Sequence, residues 1–140
     1  MKKQAVHILV TPSLLVMLAV TFAFAGSSTR IETEMPFDFT VGSKTLPAGT
    51  YTVTEEMHGV IRIRSLDHRT SVAVFARSTQ GKSRQGSAVL VVNRYGDRYF
   101  LTQAWLGSAG GYDIEKSQQE QELANRRPNR EPELISIASR

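Results

Sequence analysis

The chain has 140 residues and no cysteine, which excludes disulfide staples and thiolate metal sites in any compartment. Its 17 Lys and Arg against 13 Asp and Glu give +4, but Lys2 and Lys3 sit in the N-terminal segment, and the remaining 15 bases against 13 acids leave only +2. That balance supplies no general pull toward nucleic acid or anionic lipid, so no nucleic-acid partner is expected.

Lys2 and Lys3 precede an apolar run from Leu14 to Ala25 that ends in Ala23-Phe24-Ala25. A basic start, a greasy stretch and small residues at the junction read as a signal peptide over residues 1–25, cleaved before Gly26. The run is shorter than the ~20 residues a bilayer-spanning helix needs, so no stable membrane insertion is expected after cleavage. The expected location is exported, periplasmic or extracellular. Residues 26–140 then suit a single domain with a core of its own.

Residues 26–35 read as a linker and 36–114 as a β domain. From Pro36 the pattern has period two, with Phe37, Phe39 and Val41 on one side and Asp38 and Thr40 on the other. Gly42-Ser43 and Leu46-Pro47-Ala48-Gly49 read as turns. Thr50 to Thr54 is a second strand with Tyr51 and Val53 inward. After His58-Gly59, Val60 to Leu66 is a third, placing Ile61 and Ile63 inward and Arg62 and Arg64 outward. Val72, Val74 and Ala76 alternate with Ala73 and Phe75 in a fourth strand, mixed on both faces, and Ser78 to Gly86 is a polar loop.

Ala88 to Val92 is apolar at every position and reads as a central strand covered on both faces. It hairpins across Tyr95-Gly96-Asp97 to a sixth strand, Tyr99 to Leu106. Gly107 to Gly111 reads as a flexible link. Ser117 with Glu120 forms a capping-box pattern opening a short helix, within 115–127, that has a thin apolar stripe and docks weakly. Residues 128–140 form a tail that is either a last short strand, Leu134 to Ala138, or loose. The expected fold is all-β and mainly antiparallel: a six- to seven-stranded sandwich or partly open barrel with one short C-terminal helix.

The segments Phe37-Asp38-Phe39-Thr40-Val41-Gly42, Leu46-Pro47-Ala48-Gly49-Thr50-Tyr51-Thr52-Val53 and Asn93-Arg94-Tyr95-Gly96-Asp97-Arg98-Tyr99-Phe100-Leu101 together resemble a group of small exported bacterial proteins of unknown function. The Leu-Pro-Ala-Gly-Thr-Tyr segment alone is similar to a hairpin of transthyretin-like and carboxypeptidase-regulatory-like β-sandwich modules. That likeness implies a binding or spacer domain without catalytic residues.

Reactive constellations are scattered. His58 and His68 lie at opposite ends of the third strand, about 30 Å apart at ~3.3 Å per residue, too far to share one ion. Gly81-Lys82-Ser83 resembles the end of a phosphate loop, but Ala76 stands where a glycine is required and a strand follows. Gly86-Ser87 lacks the leading glycine of a nucleophile elbow, and Glu55 and Glu56 face opposite sides of a strand. No catalytic residue, metal or cofactor is expected.

Two surface features remain. Arg62 and Arg64, joined by Arg77, Arg94 and Arg98 if strand pairing allows, make a stripe suited to an acidic polysaccharide or phosphate groups; the plainer alternative is a solvated charged face. Tyr99, Trp105 and Tyr112 flank the Gly-rich link, where rings stack on a sugar or peptide, or simply pack in the core. The functional expectation is an exported non-enzymatic binding or structural module. Its partner would be another envelope protein, or a second copy joined through a sheet edge. The alternative is a carrier holding a small molecule or glycan between its sheets.

Overall fold

The computed structural model describes residues 29–80, 87–128 and 130–140. The signal-peptide reading and both loop motifs at Gly81 and Gly86 lie wholly or partly outside them. The all-β expectation holds: the described residues form ten strands and one α-helix. Strands β1 (Arg30–Met35), β2 (Phe39–Val41), β3 (Lys44–Leu46), β4 (Gly49–Met57) and β5 (Val60–Ser65) are followed by β6 (Ser71–Thr79), β7 (Ala88–Tyr95), β8 (Arg98–Leu106) and β9 (Gly111–Ile114). Helix α1 (Gln118–Arg126) and β10 (Glu133–Ala138) complete the chain. Among the described residues no helix is long and apolar enough to cross a membrane.

Three strands lie where none was expected. β1 occupies part of the predicted linker; it alternates Ile31, Thr33 and Met35 inward with Arg30, Glu32 and Glu34 outward, and pairs antiparallel with β4. β3 forms a hairpin with β2 across Gly42, whose φ of 58° a glycine adopts without strain. The predicted flexible link is a tight reversal that leads into β9: Gly107–Ala109 is one 3-10 turn, Leu106 N–H donates to Gly110 O at 2.9 Å, and from Gly111 the chain pairs with β8. β9 also extends β6 to Thr79, past the start of the predicted loop, by pairing with Ala76 to Thr79. The tail resolves as β10, antiparallel to β7.

The strand order is β1-β4-β5-β6-β9-β8, and β8 is where the sheet branches. β7 and then β10 continue from one edge of β8, while β9 and the β2–β3 hairpin divide the other. The β2–β8 pairing, Thr40 with Phe100, is parallel. The sheet curls until β1 and β10 meet, where Arg140 N–H donates to Glu32 O at 3.0 Å and its guanidinium pairs with Glu34. Among the described residues it does not close into a barrel.

Alternating apolar residues fill the concave side, and burying them supplies the main driving force. Phe39 meets Tyr51 edge-to-face at 5.1 Å, and Val53, Ile61, Ile63, Leu90 and Leu106 are fully buried. β7 departs from the expectation of cover on both faces: Leu90 and Val92 are buried inward, while Val89 and Val91 are half-buried outward. Phe100 points away from the main core, buried with Tyr95 (ring centroids 5.8 Å apart) on the face that α1 overlies.

Helix α1 starts as its capping pattern predicts, Ser117 Oγ accepting the Glu120 N–H at 3.1 Å. The reciprocal half of the box is not formed. The Glu120 carboxylate turns into the sheet and takes hydrogen bonds from Asn93 (2.8 Å) and Tyr95 (3.3 Å). Leu123 and Ala124 are only half-buried, and Glu120 is the one buried residue of the helix. The helix docks through a carboxylate instead of an apolar stripe.

Candidate binding face at the open edge of β6

The arginine stripe divides in two. Arg62 and Arg64 share the convex face of β5 beside Arg30, and line a cleft of about 420 Å³ with Thr52, Thr54 and His68. Arg62 is occupied there: its Nη2 donates to Glu56 Oε2 at 2.7 Å, its Nε to the same carboxylate, and its Nη1 to Ser71 Oγ at 3.2 Å. That hydrogen bonding holds the Glu56 carboxyl below the usual range. Arg98 and Arg94 lie three and four strands on, roughly 14 and 19 Å along the sheet. Arg98 donates to Gln119 at 2.8 Å, and Arg94 to Gly96 O at 2.7 Å and to Glu133 at 3.3 Å.

The three aromatic residues are not gathered either. Tyr99 stacks on Phe37, centroids 3.8 Å apart, roughly 20 Å along β8 from Trp105. Trp105 lies on the convex face across Gly111 and donates to Gln103 at 3.3 Å. Tyr112 is buried on the concave side, donating to Glu55 at 2.6 Å. His58 and His68 line different clefts, and among the described residues no three His, Asp or Glu side chains gather as a metal-ligand set.

A feature the sequence reading passed over lies on β6. Val72, Val74 and Ala76 point inward, so Phe75 points out, and it is 78% exposed. Met57 on β4 pairs with Val60 on β5, and Val60 pairs with Phe75, so the three form one apolar row across three strands. Met57 is 66% exposed. The alternation in Val72 to Ala76 already implied an outward Phe75. The pairing that adds Met57 and Val60 to it is tertiary.

Phe75 stands between two open clefts. One, about 450 Å³, is lined by His58, Gly59, Ala76, Arg77, Asp113 and Glu115; there Asp113 accepts from Gln103 at 2.7 Å. The other, about 430 Å³, runs along Val72 to Phe75 between the Gly42-Ser43 turn and the segment from Glu115 to Gln119. It exists because β9 covers only the second half of the β6 edge and the chain turns off after Ile114. A cluster of buried side chains packs on the sheet's inner face, whereas these two clefts are open to the outside. Comparison with family models, with characterised proteins and with solved structures finds no match for this chain, so its own residues carry the functional reading.

Proposed function

We propose that this chain is an exported, non-enzymatic β domain that binds a partner protein through the convex face around Phe75. The row Met57–Val60–Phe75 carries the reading. Single exposed apolar residues are ordinary on a protein surface, but three side by side, flanked by clefts, mark an interaction surface. Covering a phenylalanine is worth about 1.5–3 kcal/mol, which a free monomer forgoes. The polar and charged groups of this face support a scaffold role, since Arg62 with Glu56 and Gln103 with Asp113 brace neighbouring strands.

A photo-reactive amino acid at position 75, introduced in the native cells, tests this. The expected result is a discrete protein adduct in the exported fraction, weakened by Met57→Asp and not formed from the same group at Leu134, an exposed residue on β10. Equal labelling from both positions, or none from 75, overturns it.

A further inference from the structure

We propose that the first half of β6 takes up an extended peptide segment as an added strand, hydrogen-bonded to the main chain of Ala73 and Phe75. This rests on the reading of the Phe75 face as a partner surface, and names what the partner presents.

The direction of each main-chain group follows from one bond. Ala76 N–H donates to Gly59 O at 2.9 Å, so Ala76 turns its N–H and C=O toward β5. In an antiparallel ladder the two groups of one residue point to the same edge, and successive residues alternate. Val74 and Val72 therefore also serve β5, opposite Ile61 and Ile63, while Ser71, Ala73 and Phe75 serve the other edge. β9 occupies that edge only from Ala76 to Thr79. The β6–β9 ladder ends at the Ala76–Ile114 pair, where Phe75 C=O faces Glu115 N–H. Beyond it, among the described residues, no strand pairs with Ala73 or with the Phe75 N–H, and Ser71 O meets the Lys44 side chain at 3.5 Å. An edge of unpaired donors and acceptors is a template for another strand.

The walls decide the occupant. The edge is flanked by the Gly42-Ser43 turn and the Glu115 to Gln119 segment, and a second copy would bring the same two walls against them, whereas a lone extended segment brings none. Ser71 to Phe75 spans about 17 Å at ~3.4 Å per residue, which sets its length at about five residues. Its outward side chains lie beside Ala73 and Phe75, where Ala73 leaves room for a bulky apolar group. Its inward ones must be small, because a Cβ at Gly42 would already lie 3.2 Å from Val74 Cγ1. The partner segment thus alternates bulky apolar with small residues.

The probe is the capped peptide Ser-Phe-Ser-Val-Ser-Phe-Ser at about 1 mM, added to the purified full chain, with amide exchange read residue by residue. Exchange at Ala73 and Phe75 should slow about tenfold or more. Of two versions N-methylated on alternate residues, the one whose methyls face β6 should lose the effect and the other keep it. Ala73→Pro removes a donor that β5 does not use and should abolish protection at Phe75; if it disturbs the strand, the N-methylated pair decides alone. No slowing at those two amides, equal binding of both N-methylated peptides, or a dimer that protects Phe75 without peptide overturns the proposal. A specific adduct from position 75 alongside such a failure leaves the partner-binding reading standing and removes only strand addition.

Discussion

Glu120 and Asn93, 27 residues apart in the chain, are joined by a buried hydrogen bond of 2.8 Å that anchors α1 to β7. With Glu120 1% exposed and Tyr95 its other donor, the helix depends on this carboxylate. Burial, and then the Glu120 charge, raise the Tyr95 phenol above its ordinary value, so the tyrosine stays a donor. Removing one partner strands the other away from water, so Glu120→Ala should cost about 2–3 kcal/mol. Glu120→Gln keeps an acceptor oxygen and should cost about 1 kcal/mol. Urea unfolding of both, and of Glu120→Ala combined with Asn93→Ala, checks this; the double variant should lose less than the sum of the singles.

Thr33 on β1 is fully buried, and its hydroxyl has no hydrogen-bond partner among the described residues. A buried, unpaired hydroxyl is a net cost that a methyl of the same shape does not carry. Thr33→Val should raise stability by about 1 kcal/mol, seen as a higher urea midpoint at unchanged slope.

The same Thr33 explains why β1 was hidden. Strand patterns are legible when apolar and polar residues alternate, as in Ile61 and Ile63 against Arg62 and Arg64, and β5 lies where that alternation put it. β1 places a threonine in the core between Ile31 and Met35, which reads as polar sequence. β9 was masked by glycines, whose composition suggests mobility although Gly107 and Gly110, at φ 62° and 99°, build a tight reversal. The helix start was local and legible in Ser117, whereas the fate of the Glu120 carboxylate depended on a strand 27 residues away. Phe75 was readable as outward by parity. The open edge beside it was not, because it is set by where β9 stops.

Gly111 is held by Trp105. A Cβ at Gly111 would fall 2.4–2.8 Å from three atoms of the indole ring. Gly111→Ala should therefore displace the ring from β9 and cost about 1–3 kcal/mol. Trp105 is the only tryptophan, so its fluorescence reports the event directly: a red-shifted emission in the folded variant is expected. An unchanged spectrum with unchanged stability would contradict this packing.

Tyr112 gives the fold an alkaline limit. Burial first, and then its hydrogen bond to Glu55, push its phenol from 10 up to about 12. A folded-state value above the unfolded one means that the folded chain holds the proton longer. The associated stability is complete below pH 10 and is lost as pH rises toward 12. Tyr112→Phe removes both the proton and the bond to Glu55, so the variant should be less stable than the parent below pH 10, with the gap closing as pH nears 12. Tyr51 and Tyr95 are also raised and titrate in both proteins, so the difference between the two urea series isolates Tyr112. A gap that widens with pH would mean that Tyr112 is held as its anion, opposite to what a donor to Glu55 requires.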